Sequence, residues 1–277
     1  MKFRDIVYFF GFRPTIREYG FQTDFHTLQD EGEVKFARWL HPSEGRVEFS
    51  QGMISMLRTF LREGDVAIDI GAHIGDSTIP IALAVGKSGR VFALEPNPYA
   101  FKVLEVNSSL NKDKTNIHPL MFAATPEDGE FEFEYSDGGF CNGGLHEGIG
   151  TWKHGHFMKL KVSGINLVKY LKTNFPDDYQ KVRYIKIDTE GFDRTVVKSL
   201  KELLVSNRPF IKTEIYKHLS AKQRLGYIGD LKELGYRIYK INNEEDYHGM
   251  ELVENDVLRW KHFDIFAVPA APDQPPA

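Results

Sequence analysis

The sequence predicts an α/β protein of Rossmann-like type, a mainly parallel sheet with helices on both faces. Three observations carry this. From Asp65 onward, apolar runs of strand length alternate with segments of helical periodicity. A glycine-punctuated turn, Gly71 to Gly75, follows the first of these strands. The last two strands, Tyr236 to Ile241 and His262 to Val268, have no helical pattern between them, which predicts an antiparallel hairpin at the sheet edge.

Each element has its own reason. Val66 to Ile70 is a continuous apolar run, as expected of a strand covered on both faces. The helix after Gly75 runs through Leu83, with Pro80 tolerated only near its first turn, where a missing N–H costs little. Arg90 to Leu94 is the next strand, and Asn97-Pro98 supplies an N-cap and a first helical proline. Ile117 to Ala123 reads as a third strand. The alternation then breaks: Glu130 to Tyr135 and Phe157 to Val162 read as strands around a long glycine-rich stretch, Ser136 to His156. It resumes with a strand at Tyr184 to Asp188 and a helix bearing Val196, Val197, Leu200, Leu203 and Leu204. A strand at Phe210 to Ile215 follows, then a helix opened by a Ser220/Gln223 capping box.

Ahead of this domain, residues 1–62 form a preface with strand-like pieces at Val34 to Leu40 and Arg46 to Phe49. In it, Met53, Met56, Leu57 and Phe60 fall at helical spacing. Residues 63–268 make the main domain, and the proline-rich tail 269–277 reads as disordered. The apolar run Ile6 to Phe12 is too short for a membrane span and lacks a cleavage signal; a short packed element is expected there, with a peripheral contact through Val7 to Phe10 as the alternative.

Composition narrows the function. With 277 residues, 42% of them apolar, and a net charge of −4, the chain needs no disulfide or metal to build a core and has no global attraction for nucleic acid. Its one cysteine, Cys141, excludes an intramolecular disulfide and suits the reducing cytoplasm.

The chemistry should lie beyond the carboxyl ends of the parallel strands. Asp69-Ile70-Gly71-Ala72-His73-Ile74-Gly75 follows the first strand with G-x-x-x-G spacing, where a dinucleotide enzyme shows G-x-G-x-x-G. Asp69 two residues before the first glycine repels phosphate but suits a cationic ligand such as S-adenosylmethionine (SAM). Glu95, twenty residues after Gly75, ends the second strand, where a carboxylate can accept both hydroxyls of a ribose. In Ile185-Lys186-Ile187-Asp188-Thr189-Glu190-Gly191-Phe192-Asp193, Asp188 is expected at the strand tip facing the cleft and Glu190 in the turn. Asp193 is expected in the first turn of the next helix, where the dipole favours it. Glu214 ends a further strand, either facing the same cleft or pairing a nearby lysine, with His218 just beyond it.

In order, these stretches resemble the FkbM-type family of SAM-dependent methyltransferases. The likeness lies in D-I-G-A-H-I-G, E-P-N-P, I-K-I-D-T-E-G-F-D and K-T-E-I, with L-K-V-S-G-I-N-L-V-K-Y-L preceding the I-K-I-D strand. It covers about Leu61 to Ile215, and I-D-T-E-G is its most specific part. The resemblance implies a class I methyltransferase fold with a seven-stranded sheet, and methylation of hydroxyls on sugars, polyketides or other secondary metabolites. It implies that Asp69, Gly71, Ala72, Gly75 and Glu95 hold SAM, while Asp188 and Glu190 border the reacting methyl. Pro96, Asn97 and Ala123, beside the same strand ends, join His73 and Asp188 as expected cofactor contacts. His73 stands where the family often has Asn, which leaves its role open.

The expected reaction is O-methylation of a sugar or glycan. The alternatives are a polyketide or secondary-metabolite acceptor, and a non-catalytic SAM-binding protein. Candidate bases are Asp188, Glu190, His73 and His218, in that order. Asp188 and Glu214 can instead hold Mg²⁺, which would acidify the hydroxyl directly. In the glycine-rich stretch, Asn142, His146, Trp152 and His156 suit a carbohydrate, and with Glu214 they are the expected acceptor contacts. An oxidoreductase is disfavoured by the glycine spacing, and a nucleic-acid methyltransferase by the charge balance.

Overall fold

A computed structural model of the protein describes residues 17–135, 143–144 and 158–270. The preface opens with an antiparallel hairpin, β1 (Phe21–Leu28) and β2 (Gly32–Trp39), followed by α1 (Gln51–Leu57), whose N-cap Ser50 accepts from Met53 N–H. The main sheet contains β3 (Val66–Ile70), β4 (Arg90–Leu94), β5 (Ile117–Leu120), β10 (Val182–Ile187), β11 (Phe210–Ile215), β12 (Tyr236–Lys240) and β13 (Phe263–Pro269). A smaller sheet is formed by β6 (Ala123–Ala124), β7 (Gly129–Tyr135), β8 (Gly143–Gly144) and β9 (Met158–Ile165).

The strand order of the main sheet is β12-β13-β11-β10-β3-β4-β5. β5, β4, β3, β10 and β11 run parallel, and β13 lies antiparallel between β11 and β12. The chain winds outward from β3 through β4 to β5 and then returns to start β10 on the other side of β3. The order of winding therefore reverses between β3 and β10, and their last residues, Ile70 and Ile187, sit side by side. A crevice opens at such a reversal because the connections leave in opposite directions.

Period-two alternation sends Val66, Ile68 and Ile70 to one face and Ala67 to the other. On the first face they pack against α4 (Leu167–Asn174), α5 (Pro176–Tyr179), α6 (Asp193–Ser199), α7 (Lys201–Asn207) and α8 (Ala221–Glu233), through residues such as Leu171, Val196, Leu203 and Ile228. On the second face lie α1, the β1–β2 hairpin and α2 (Thr78–Val85), every residue of which is buried. That accounts for the all-round apolar sequence of α2. The helix α3 (Pro98–Leu110) starts as expected, with Pro98 at its first turn and the Asn97 side chain accepting from Tyr99 N–H. The Ser220/Gln223 capping box is likewise present at the start of α8.

Two expected strands are corrected. Ile117 to Ala123 is not continuous: β5 stops at Leu120, Met121 is half exposed, and the chain passes into the smaller sheet at Ala123. Arg46 to Phe49 is irregular, and Val47 and Glu48 face the cavity described next.

Candidate functional site

A cavity of about 470 Å³ lies over the carboxyl ends of β3, β4, β10 and β11, within the size range of small-molecule sites. Its floor is the Gly71–Gly75 turn. Gly71 (φ +76°) lies so close to the Asp188 carbonyl that a Cβ there would collide with it, so only glycine lets β3 and β10 end side by side. Gly75 (φ +97°) lets the chain turn into α2 against Leu104. Two non-glycine residues of the wall are also left-handed, His73 (φ 48°) and Glu190 (φ 54°). Such conformations persist only where the surroundings enforce them.

At one end stands Glu95, whose carboxylate oxygens are held by backbone donors: His73 N–H gives to Oε2 at 2.9 Å and Asn97 N–H to Oε1 at 2.8 Å. Burial raises the pKa of Glu95, against the opposing pull of His73 and these two donors. Gly71, His73, Pro96, Asn97 and Ala123 line this end together with the apolar Phe122, Phe133 and Tyr135, the last two brought in by β7. The preface contributes Glu44, whose Oε1 is 3.9 Å from His73 Nε2.

Three residues expected at the cofactor do not face the cavity. Ala72 is fully buried and Gly75 serves the turn beneath. Asp69 is fully buried too: Ser77 and Thr78 hydroxyls donate to its Oδ2 at 2.7 and 2.6 Å, and Lys186 Nζ stands 3.4 Å from Oδ1. Its expected partner, a cationic ligand, is replaced by a cation of the chain itself.

Lys186 is the residue that the sequence reading missed. It lies opposite Asp69 on the neighbouring strand, donates to Gly71 O at 3.0 Å and stands 3.4 Å from Asp188 Oδ2. Burial works against its charge, but Asp69, Asp188 and Asp76 outweigh it and hold its pKa above the usual lysine value. Lys212 aligns with Lys186 across β10–β11 and is paired with Glu244, with Asp264 at 3.7 Å. The available signal was a lysine inside each of two strands, I-K-I and I-K-T, since buried lysines are rare unless paired.

The other end of the cavity is acidic. Asp188, about half exposed, and Glu190 lie in the turn after β10, Glu214 on β11 and Asp264 on β13. Burial, then the charge of Asp188, raises the Glu190 pKa. Burial, with Asp188 and Asp193 next, pushes Glu214 up to about 9. Glu214 Oε1 meets His262 Nδ1 at 2.9 Å, so its partner is a histidine and not the lysine expected as the alternative. Asp193 is fully buried at the start of α6, where it accepts from Thr189 N–H (3.2 Å) and Gly191 N–H (3.0 Å), as its expected helix-start role requires. Burial, followed by Asp188, pushes it up to about 7.

Other expectations are corrected. His218 is not in the cavity wall; it sits beyond β11 with its ring edge-on to Tyr216, 5.3 Å between centroids, so it is no candidate base. Among the described residues no group of three His, Cys, Asp or Glu side chains is arranged for a metal ion. Asp188 faces an ammonium and Glu214 an imidazole, so the expected Mg²⁺ pair is engaged with cations of the chain. Asn142, His146, Trp152 and His156 lie outside the described residues. No helix of the described residues is long and apolar enough to cross a membrane.

A family model described as the methyltransferase FkbM domain matches residues 69–238, more than half of the chain. No curated protein matches the sequence. Among solved structures, the chain is similar to the methyltransferase FkbM of Methylobacillus flagellatus KT, at 15% identity and a TM-score of 0.43, over 74% of this chain and 44% of that one. It thus spans less than half of that protein's length. It is also similar to a SAM-dependent O-methyltransferase of Thermotoga maritima (16%, 0.43, 91% and 79%). A third is Aeropyrum pernix fibrillarin in complex with natively bound S-adenosyl-L-methionine (12%, 0.43, 93% and 98%).

Proposed function

The chain belongs to the FkbM methyltransferase family, and we propose that it transfers a methyl group from SAM to a hydroxyl, with a sugar as the acceptor class. The observation that carries this reading is the continuity of the cavity, which joins Glu95 at the end of β4 to Asp188, Glu190 and Glu214 at the ends of β10 and β11.

The residues at the Glu95 end fit the cofactor. Each Glu95 oxygen already accepts one backbone N–H, which fixes the carboxylate and leaves a further lone pair on each for vicinal ribose hydroxyls. Phe122, Ala123 and Phe133 offer an apolar wall for adenine. The turn at Gly71–His73, flanked by Lys186 and Asp76, offers both signs of charge for a zwitterionic amino acid end. Bound there, SAM supplies a methyl group already activated by its sulfonium.

The protein's own task is then to align the acceptor hydroxyl and take its proton as the new C–O bond forms and the methyl–sulfur bond breaks. Glu190 suits the base: it faces the cavity, and burial with Asp188 raises its proton affinity toward the working pH. The Tyr216 hydroxyl, hydrogen-bonded to Glu190, orients it, and Asp188 beside it is anchored by Lys186. Glu214, pushed up to about 9, holds its proton at neutral pH until a cation reaches it, and it is not assigned as the base.

The test is calorimetric titration with S-adenosylhomocysteine. Binding is expected, and Glu95→Ala should weaken it roughly 10–100-fold, the loss of hydrogen bonds to a charged group. A folded protein that does not bind S-adenosylhomocysteine overturns the reading. Once binding is established, SAM consumption across hydroxylated glycans tests the acceptor class, and Glu190→Gln should slow turnover about 10²-fold or more.

A further inference from the structure

The acidic end of the cavity holds more negative charge than the transfer of a methyl to a neutral hydroxyl requires, and we propose that the acceptor carries a protonated amine beside that hydroxyl, as an amino sugar does. The proposal rests on the methyl-transfer reading for the role of this cavity.

Carboxylates reach this end from each element around it: Asp188 and Glu190 after β10, Glu214 on β11, Asp264 on β13, and Glu244 in the segment between β12 and β13. The cations are already engaged. Lys186 lies between Asp69 and Asp188, Lys212 between Glu244 and Asp264, and Lys217 near Glu190. Among the described residues, Glu214 is paired with the imidazole of His262.

An acidic wall by itself is explained by solvation, but two atoms of this wall are not. Glu214 is 8% exposed, and while Oε1 meets His262, its Oε2 is buried without a hydrogen-bond partner among the described residues. Thr189 Oγ1, in the turn after β10, is buried without a partner as well. Both residues line the cavity. Unsatisfied buried oxygens are costly and uncommon in folded proteins. Once ionised, the Glu214 carboxylate oxygen, with the Thr189 hydroxyl oxygen, is the complement of an ammonium, which has three donors and no acceptor.

A neutral sugar hydroxyl can bond one such oxygen, but it brings no charge to offset the surrounding carboxylates. A divalent cation would bring the charge, but the described side chains do not converge as ligands. The electrostatics agree with an amine. The Glu214 carboxyl, pushed up to about 9 by burial and by Asp188 and Asp193, holds a proton until a cation reaches it. An arriving ammonium favours the carboxylate, so binding at neutral pH should release that proton.

The experiment uses the intact protein saturated with S-adenosylhomocysteine and the methyl glycosides of glucosamine, glucose and N-acetylglucosamine, titrated calorimetrically at pH 7 in two buffers of different ionisation enthalpy. Glucosamine should bind roughly tenfold or more tightly than the two neutral sugars, about 1.4 kcal/mol, with proton release. Glu214→Gln and Thr189→Val should each erode that preference and Glu214→Gln should abolish the proton release, both variants keeping their affinity for S-adenosylhomocysteine. Equal affinity for the three sugars, preference for a neutral one, or no binding of glucosamine at millimolar concentration overturns the amine proposal and leaves methyl transfer standing. Failure to bind S-adenosylhomocysteine removes the methyl-transfer reading, and the proposal with it.

Discussion

Glu214 illustrates how a residue that sits well in a strand becomes costly in the fold. The strand carries it to a wall already bearing Asp188, Asp193 and Glu190, where burial raises its pKa from 4.5 to about 9. Because the folded pKa lies above the unfolded one, the folded state binds the extra proton between about pH 4.5 and 9. Its contribution to stability is complete below that window and is lost as pH rises through it. Glu214→Gln keeps the shape and removes the titration. Its advantage over the wild type should therefore be absent near pH 4.5 and grow to roughly 1–3 kcal/mol by pH 9. Thermal unfolding of both proteins across that range checks this; a difference that stays constant with pH would show that the carboxyl titrates normally. Asp193 titrates in the lower window that ends near pH 7, and it does so in both proteins.

At the scale of elements, one helix face ties the edge of the preface hairpin to the domain. Asn107 and Asn111, a turn apart on the α3 face, treat the edge of β2 as a neighbouring strand would. Asn107 accepts from Ala37 N–H (2.6 Å) and donates to Ala37 O (2.9 Å) and to Ile74 O (2.7 Å). Asn111 accepts from Lys35 N–H (3.0 Å) and donates to Lys35 O (2.8 Å). An exposed strand edge is thereby covered without a further strand. Because Asn107 also reaches Ile74, the hairpin and the Gly71–Gly75 turn share one anchor. Asn107→Ala leaves fully buried backbone groups without partners and should cost about 2–4 kcal/mol. S-adenosylhomocysteine affinity should fall in the same variant. Unchanged stability in denaturant titration would mean that water replaces the amide without loss.

Across the whole molecule, burial is uneven from one element to the next. β3 is buried along its full length and α2 on every residue, whereas β1 presents Phe21 and Phe25 to solvent. Amide hydrogen exchange should therefore be slowest in β3 and α2, where opening requires global unfolding, and fast in β1, where local fraying suffices. Uniform protection across the three would contradict this ordering. Beyond the carboxyl ends of the same strands, polar side chains are gathered at a cost that the buried layers offset. That is why Lys186, Asp69 and Asp188 can be stacked so close to an apolar core.

The sequence by itself determined the succession of main-sheet strands and the helices at Pro98 and Ala221, the caps at Asn97 and Ser220, the turn at Gly71–Gly75, and the placing of Glu95, Asp188, Glu190 and Glu214 at strand ends. These follow from periodicity and local chemistry, which act over a few residues and are written in the order of the chain. Only the tertiary structure decided what each charge meets. Asp69 looked like a ligand contact because its partner, Lys186, is distant in sequence and becomes adjacent only when β10 pairs with β3. Glu214 meets His262 through the pairing of β11 with β13, and His218 leaves the cavity because the chain turns away after β11. Ion pairs and desolvation depend on distances between strands, and strand order is a property of the packed sheet that no local window of sequence contains.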